Sequence, residues 1–160
     1  MDKIFFAKVR PEAKIPSKRD EDGWYDVYGC FDGGVVIAPG EIVKIPTGIA
    51  SAIDSKYRIA LGERGSTGVK GLAVRAGKID SGYRDEWIVV LNNTSKYHIY
   101  IGGSRPSMLD GNVIFYPKEK AICQAGIELV PEVEVNVISY EELRAIPSER
   151  GMGKFDSTGK

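Results

Sequence analysis

Short hydrophobic segments recur along the whole chain, and each has about the length of one β-strand. They are rich in β-branched and aromatic residues and are bounded by Gly, Pro, Asp or Asn, as strands separated by turns are. The segments are KIFFAKV, YDVYG, GVVIAPGEIVKIPTGIASAI, YRIALG, EWIVVLNN, HIYIG, NVIFYP, AICQAGIELV and EVEVNVI. About nine or ten strands without an internal repeat or a linker predict one all-β domain, a sandwich, jelly roll or compact barrel.

The last segment, EVEVNVI at residues 132–138, shows the clearest alternation. A valine occupies every second position and a polar residue lies between, which predicts a strand with one solvated face. A short helix is predicted directly after it, because Ser139 and Glu142 have the spacing of a capping box. Pro147 ends this helix within two turns.

The composition excludes several classes of protein. Of the 160 residues 42% are hydrophobic, which is enough for one well-formed core. Basic and acidic residues number 22 each, so no net field attracts nucleic acid or an anionic membrane, and neither is expected as a partner. No hydrophobic run reaches the length of a signal-peptide core or a membrane span, which predicts a soluble intracellular, cytoplasmic protein.

The cysteines and the histidine offer little for catalysis. Cys30 and Cys123 lie far apart and match no metal-ligand spacing, so we expect buried thiols. His98 is the only histidine, and it lies in the strand-like segment SKYHIYIG. A Ser-His-Asp mechanism would depend on it alone, and we expect this residue to be structural.

Two glycine-rich segments carry residues that suit phosphates. In GERGSTG (62–68), backbone amides and the Arg64 guanidinium can converge on a phosphate, although a polar hairpin turn after YRIAL explains the same residues. In the tail ERGMGKFDSTGK (149–160), Arg150 and clustered hydroxyl groups suit a triphosphate, and the Phe155 ring can cover a nucleobase. An unstructured terminus is the alternative there.

A third segment, GKIDSGYRDEW (77–87), places an aspartate and an aromatic residue between two predicted strands. In the functional interpretation the Asp80 carboxylate acts on a water or a sugar hydroxyl, and Tyr83 offers a ring face for packing. The alternative is a hairpin in which Asp80 and Ser81 cap the turn through their own backbone.

These segments occur in one order and together resemble the five motifs of the trimeric dUTP diphosphatase (dUTPase) family. The third and fifth motifs are much more specific than the first and fourth. The resemblance covers the chain from about residue 24 to the end, and APGEIVKIPTGIA resembles the strand pair between the first two motifs. In order, the motifs are YDVYG, ERGSTG, GKIDSGYRDE, EKAICQ and RGMGKFDSTG.

The resemblance implies hydrolysis of dUTP to dUMP and pyrophosphate, by in-line attack of water on the α-phosphorus with Mg²⁺ on the triphosphate. This reaction keeps uracil out of DNA and supplies dUMP. The resemblance also implies a distorted jelly-roll or β-sandwich-like subunit with one short helix, in a homotrimer whose active sites are shared between chains. Residues 1–148 are then the β-domain, and residues 149–160 form a flexible arm, exchanged with a neighbour, that carries the fifth motif.

The resemblance also assigns roles to individual residues. Asp80 is implied to orient the attacking water and to bind the sugar 3′-hydroxyl. Tyr83 is implied to pack under the deoxyribose, and backbone groups that include Gly77 and Ile79 to read uracil. Asp26 is implied either to bind the ion through water or to hold an arginine in place. The implied phosphate ligands are Arg64, Gly65, Ser66 and Gln124, with Arg150, Ser157 and Thr158 on the γ-phosphate and Phe155 over the uracil.

The chain departs from the family pattern at several places, among them the second motif, Lys154 and Asp156 in the fifth motif, and one loop. Glu63 replaces the usual proline, and Gly65 separates Arg64 from Ser66, which leaves open which residue supplies the serine's contact. The loop at residues 102–112 is longer than the family's norm.

Two other functions remain open at this stage. A dCTP deaminase shares the fold but needs a glutamate as general base near the strand after the third motif. That strand, EWIVVLNN, ends in Asn92 and Asn93 and has Glu86 only at its start, which disfavours deamination. The second alternative is a nucleotide-sensing regulatory or binding module, which would bind dUTP tightly without turnover.

Overall fold

The structure, a computed structural model, describes residues 2–105 and 112–151. Within these ranges the chain forms twelve strands and two short helices, α1 (Gly65–Gly68) and α2 (Tyr140–Ala145). The strands are β1 (Ile4–Lys8), β2 (Tyr25–Val27), β3 (Val35–Ile37), β4 (Ile42–Pro46), β5 (Ile49–Ile53), β6 (Tyr57–Gly62), β7 (Leu72–Arg75), β8 (Lys78–Asp80), β9 (Ile88–Asn93), β10 (His98–Gly102), β11 (Val113–Pro117) and β12 (Cys123–Leu129). The predicted all-β class is confirmed.

The strands of the described residues form four small sheets. The largest has the order β2-β12-β6-β8, and a second has the order β4-β9-β7. The third, β11-β10-β3, contains the one parallel pair among these sheets, β10 with β11, and β1 pairs with β5 along its whole length. Strands distant in sequence thus lie side by side, which is the long-range pairing of a jelly-roll-like fold.

One hydrophobic cluster joins the three larger sheets. Trp87 is its largest fully buried member; its Nε1 donates to Ser51 Oγ at 3.1 Å, and Phe6 packs edge-on against its ring at 5.7 Å. The cluster takes side chains from each sheet, including Val27, Ile59, Ile79, Ile45, Leu91, Ile37 and Ile101. Burial of this apolar surface is the main force that holds the sheets together.

The two cysteines are buried and unpaired, as predicted. Cys30 Sγ donates to Glu12 Oε1 at 3.6 Å. Burial raises the pKa of Cys123 to about 12, so its thiol stays protonated and unreactive at neutral pH. His98 lies exposed at the start of β10.

The predicted strand at residues 132–138 is wrong, because this segment pairs with no strand of the described chain. Its alternating valines are strongly exposed, Val137 by 95%. A strand needs a partner for its backbone hydrogen bonds, and the chain's own sheets end before this segment.

The predicted helix after this segment is confirmed as α2. Glu142 N donates to Ser139 Oγ at 3.2 Å, and Ser139 N donates to Glu142 Oε2 at 2.7 Å, which completes the capping box. Every residue from 131 to 151 is exposed, so α2 lies outside the β-domain. Neither helix in the described part of the chain has the length and hydrophobicity needed to cross a membrane.

Candidate active site

An ion pair between Asp26 and Arg64 anchors GERGSTG, the segment whose residues suit a phosphate. Asp26 lies on β2, and Arg64 follows β6 directly before α1. Arg64 Nε donates to Asp26 Oδ1 at 2.7 Å, and its Nη1 donates to the Ala121 carbonyl at 3.3 Å and to Tyr116 Oη at 3.4 Å. Partial burial acts to lower the pKa of Arg64, but the Asp26 carboxylate and Tyr116 raise it and prevail, so the guanidinium remains charged. Of the two predicted roles of Asp26, the structure places it in the one that holds an arginine.

The segment GERGSTG forms a helical turn, and the hairpin-turn interpretation is wrong. After Gly62, α1 carries the chain away from β6, which pairs with β12 and β8 and not with β7. The buried Thr67 accepts from Arg64 N at 3.0 Å and donates to Arg64 O at 3.1 Å, so its hydroxyl fixes the turn. The glycine after Arg64 therefore places Ser66 within this turn, where its Oγ accepts from Arg64 Nη1 at 3.2 Å.

Four of the predicted phosphate ligands meet in one cleft of about 870 Å³. Gln124 on β12 lies directly opposite Asp26 on β2 and Gly62 on β6. Its Nε2 donates a hydrogen bond to the Glu63 carbonyl at 2.7 Å. Glu63 Oε1 also accepts from Val74 N at 2.7 Å, so the residue in place of the family's proline ties the cleft to β7. The phosphate ligands in the cleft wall are Arg64, Gly65, Ser66 and Gln124.

A further part of the cleft wall comes from a segment outside the family motifs, residues 17–24, which includes Trp24. Arg19 pairs there with Asp22 at 2.9 Å. Sequence reasoning missed this wall, and it also missed Tyr116 and Thr67. A hydroxyl three residues after Arg64 was a usable signal for Thr67, whereas nothing in VIFYP marks Tyr116 as a partner of a distant arginine.

The Asp80 loop, residues 77–87, connects two different sheets and is not a hairpin. β8 pairs with β6, and β9 pairs with β4 and β7, so the strands on either side of the loop do not pair with each other. Tyr83 N donates to Asp80 O at 3.0 Å, which makes a backbone turn. The expected capping by the Asp80 side chain is wrong: its carboxylate accepts no hydrogen bond from any described residue.

The cations next to Asp80 are bound elsewhere. Arg58 lies opposite Asp80 in the ladder, but its Nε donates to Glu128 Oε2 at 2.9 Å. Lys78 Nζ donates to the same oxygen at 3.1 Å. These hydrogen bonds, that of Lys78 first, lower the pKa of Glu128. The exposed Asp80 carboxylate is therefore left available for a ligand.

The other predicted residues of this loop have distinct environments. Tyr83 is 43% exposed, and its hydroxyl donates to the Glu86 carbonyl at 3.1 Å, which leaves a ring face accessible. The Ile79 side chain is in the core, so Ile79 can contact a ligand only through its backbone. Gly77 O accepts from Leu61 N at 2.7 Å, and a Cβ on Gly77 would lie 2.5 Å from Leu61 O.

We expect Gly77→Ala to destabilise the domain. The added methyl group cannot fit beside the Leu61 carbonyl, and overpacking of this kind costs roughly 2 kcal/mol, or about 6 °C in Tm for a chain of this size. Thermal unfolding followed by circular dichroism measures the change. Gly82→Ala is the matched control, because a Cβ there has no atom within 4 Å. An unchanged Tm for Gly77→Ala would contradict the required close approach.

The Asp80 loop and the cleft lie on the same face of the largest sheet but are separated. Residues directly opposite in a ladder point to the same face, as do alternate residues along a strand. One row across the sheet contains Asp26, Gln124 and Gly62. Asp80 lies in another row, opposite Arg58. Gly62 and Arg58 are four residues apart on β6, so the two rows are about 13 Å apart. No residue from 77 to 87 lines the cleft.

The tail lies largely outside the described residues. Arg150 is described and exposed. The predicted ligands Phe155, Ser157 and Thr158 fall outside, as does most of the long loop at residues 102–112. Within the described ranges, no three His, Cys, Asp or Glu side chains lie close enough together to hold a metal ion.

Comparison with known proteins identifies the family. No family model matches the chain. The deoxyuridine 5′-triphosphate nucleotidohydrolase of Nautilia profundicola is 35% identical over 162 residues, which cover 99% of this chain and 99% of that protein. The chain belongs to the dUTPase family. The family that the motifs predicted is thereby confirmed.

Solved dUTPase structures confirm the jelly-roll-like fold. The dUTPase of Staphylococcus bacteriophage 80alpha with dUpNHpp matches with a TM-score of 0.76 and 21% identity over 99% of both chains. A mutant dUTPase of phage phi11 of S. aureus, described with a structural Mg(II) ion, matches with a TM-score of 0.69 and 21% identity over 87% of this chain and 99% of that one.

Proposed function

We propose that the chain hydrolyses dUTP to dUMP and pyrophosphate, by in-line attack of water on the α-phosphorus. The observation that carries the proposal is the cleft in which Arg64, Ser66 and Gln124 converge while Asp26 holds the guanidinium in place. Phosphoryl transfer is catalysed chiefly by positioning and by neutralisation of charge, and a fixed guanidinium supplies both. The reaction keeps uracil out of DNA and supplies dUMP, in the cytoplasm.

In this mechanism the Asp80 loop binds the nucleoside. Asp80 orients the attacking water and accepts a hydrogen bond from the 3′-hydroxyl. Its carboxylate is available for both, because it is exposed and has no partner among the described residues. Tyr83 packs under the deoxyribose and leaves no room for a 2′-hydroxyl. Gly77 and Ile79 read uracil through their backbone, since one lacks a side chain and the other buries it.

The tail completes the site from outside the β-domain. By family resemblance, Arg150, Ser157 and Thr158 bind the γ-phosphate, and Phe155 covers the uracil when the arm closes. Support comes from residues 131–151, which are exposed throughout and so are not packed into the β-domain.

We propose that the enzyme is a homotrimer with shared active sites. Within the described residues 131–151, seven large apolar side chains are exposed, and exposed apolar surface of this extent marks an interaction site. A second copy of the chain is the fitting partner, because the cleft and the Asp80 loop of one chain are about 13 Å apart and share no lining residue. The Asp80 loop of one chain would then face the cleft of a neighbour. The exposed residues are Val133, Val135, Val137, Ile138, Tyr140, Leu143 and Ile146.

We expect Val135→Lys to disrupt this assembly and with it the turnover of dUTP. Val135 is 82% exposed in the single chain, so the substitution leaves the β-domain folded but places a charge in the proposed interface. Sedimentation velocity measures the oligomeric state, and pyrophosphate release measures turnover. The control is Glu134→Gln, a change at the neighbouring polar position that adds no positive charge. A trimeric, fully active Val135→Lys variant would contradict the proposed interface.

Mg²⁺ fits this site as a companion of the substrate. Magnesium is commonly held by substrate phosphates, water and one or two carboxylates rather than by a cage of protein ligands. Asp26 offers one carboxylate in the cleft wall, and its oxygens retain capacity for a bound water beside Arg64. The ion neutralises charge on the triphosphate when it is bound.

The single decisive test is pyrophosphate release from dUTP in the presence of Mg²⁺. Turnover of dUTP that exceeds turnover of dCTP by a factor of about 10⁴ supports the proposal, because backbone donors and acceptors can reject an unmatched base to this extent. UTP, which carries the same base, tests instead whether Tyr83 excludes a 2′-hydroxyl. Tight binding of dUTP without turnover would favour a regulatory module instead.

The environment of Glu86, the glutamate that precedes β9, disfavours deamination of dCTP. Glu86 Oε1 accepts from Gly48 N at 2.6 Å and pairs with Arg10 at 3.4 Å, so this carboxylate holds two loops together. Asn93 is likewise engaged in the structure, because its Nδ2 donates hydrogen bonds to the carbonyls of Ile37 and Tyr97. Ammonia release from dCTP would overturn this assignment.

A further inference from the structure

The Trp24 ring lies on a surface formed by the backbone of Gly126 and Gly62, which we call the glycine floor. A Cβ on Gly126 would lie 2.5 Å from Trp24 Cε2, and a Cβ on Gly62 would lie 3.1 Å from its Cζ3. The indole therefore packs directly on the backbone of β12 and β6. A side chain on Gly126 would displace it, and one on Gly62 would crowd it. This fit holds the ring in one place beside the row that contains Asp26 and Gln124.

The indole N–H of Trp24 has no partner among the described residues, in contrast to the other tryptophan of the chain. Trp87 donates its N–H to Ser51 Oγ at 3.1 Å within the core. Trp24 is half-buried, and no polar side-chain atom of the described chain is both buried and unsatisfied. The Trp24 N–H is therefore accessible from outside the protein, although an indole in such a partly buried position usually donates to a partner.

The same tryptophan lines the cleft with the proposed phosphate ligands. These ligands include Arg64, Ser66 and Gln124. A fixed N–H donor beside a guanidinium, a hydroxyl and an amide suits the oxygens of an anion better than the flat face of a base. One face of the indole is already covered by the glycine floor.

We propose that Trp24 is a further substrate-binding residue, which donates its indole N–H to a phosphate oxygen of the bound deoxynucleoside triphosphate. This inference rests on the proposed function, since it takes the cleft as the phosphate site. The indole is a neutral donor on a rigid ring, so it adds direction to the charge that Arg64 supplies. It acts on binding and leaves the orientation of the attacking water to Asp80.

The test uses the fact that the chain has only two tryptophans. The ¹⁵N-labelled full-length protein gives two indole N–H resonances, one of which is absent from Trp24→Phe. We expect that resonance to shift when a non-hydrolysable dUTP analogue or tripolyphosphate is added, and to stay in place with deoxyuridine. The Trp87 resonance serves as the internal control.

Kinetics of Trp24→Phe provide the second arm of the test. Phenylalanine keeps an aromatic ring on the glycine floor but removes the donor, so we expect the KM for dUTP to rise about tenfold while kcat changes less than about twofold. An unchanged KM together with an unmoved Trp24 resonance would overturn the proposal. A resonance that moves with deoxyuridine alone would overturn it as well, because the indole would then contact the nucleoside.

Failure of the proposed function has a different signature. In that case the wild-type chain releases no pyrophosphate from dUTP, whatever residue occupies position 24. The tripolyphosphate titration still decides whether the indole N–H contacts a phosphate.

Discussion

Asp80→Asn is expected to lower kcat for dUTP by about 10³-fold or more, and to leave the affinity for a non-hydrolysable analogue within about threefold. A positioned carboxylate that orients or deprotonates a reacting water contributes about 10²–10⁴-fold, and an amide of the same shape cannot replace its charge. The structure favours a large effect, because the carboxylate is exposed and no described cation pairs with it. Arg58 and Lys78, its neighbours on the sheet, are bound to Glu128.

Single-turnover pyrophosphate release and analogue titration separate the two parts of this prediction. Asp32→Asn is the matched control, since Asp32 is exposed and lies outside both the cleft and the Asp80 loop. If Asp80→Asn kept more than about a tenth of wild-type turnover, the assignment of Asp80 would be wrong. A loss of analogue binding of equal size would instead make Asp80 a binding residue.

Arg64→Lys is expected to raise the KM for dUTP by about 100-fold and to lower kcat as well. The guanidinium reaches Asp26, the Ala121 carbonyl and Tyr116 Oη at once, and a lysine ammonium cannot hold all three with the same geometry. The substitution keeps the positive charge, so the loss reports on the fixed fork of donors. Asp26 then loses its bidentate partner at the edge of the phosphate site.

Steady-state kinetics with dUTP and thermal unfolding together check this second prediction. Arg105→Lys is the control, because Arg105 is exposed and lies outside the cleft, the Asp80 loop and the segment after residue 131. We expect the control to match the wild type in both measurements. Wild-type KM in Arg64→Lys would show that the guanidinium geometry is not used by the substrate.

The candidate site was predictable from the sequence at the level of motifs, and much less so at the level of contacts. The residues around Arg64 and Asp80 stand out because glycines, hydroxyls and single charged residues cluster between strands. The sequence does not show that Asp26 holds Arg64 or that Glu128 binds the two cations beside Asp80. Both contacts depend on the register between strands that are distant in sequence. The part of the cleft wall that contains Trp24 comes from residues just before the first motif, and only folding brings it into the same cleft as Ser66.

The fold shows the same division in the segment at residues 132–138. Its alternation of valine with polar residues is typical of a strand, yet the described chain offers it no partner. The capping box of Ser139 and Glu142, in contrast, is a local interaction, and α2 begins where the sequence places it. Local patterns therefore predict an element's conformation but not its partner.

The sequence by itself determined the all-β class, the capped start of α2, the buried thiols and the family, because these depend on composition, short-range spacing and ordered motifs. The tertiary structure decided which charges pair, which side chains line the cleft, and that the Asp80 loop joins two sheets. These features arise when strands far apart in the chain become neighbours, and the energies of those long-range pairings are not encoded in any one segment.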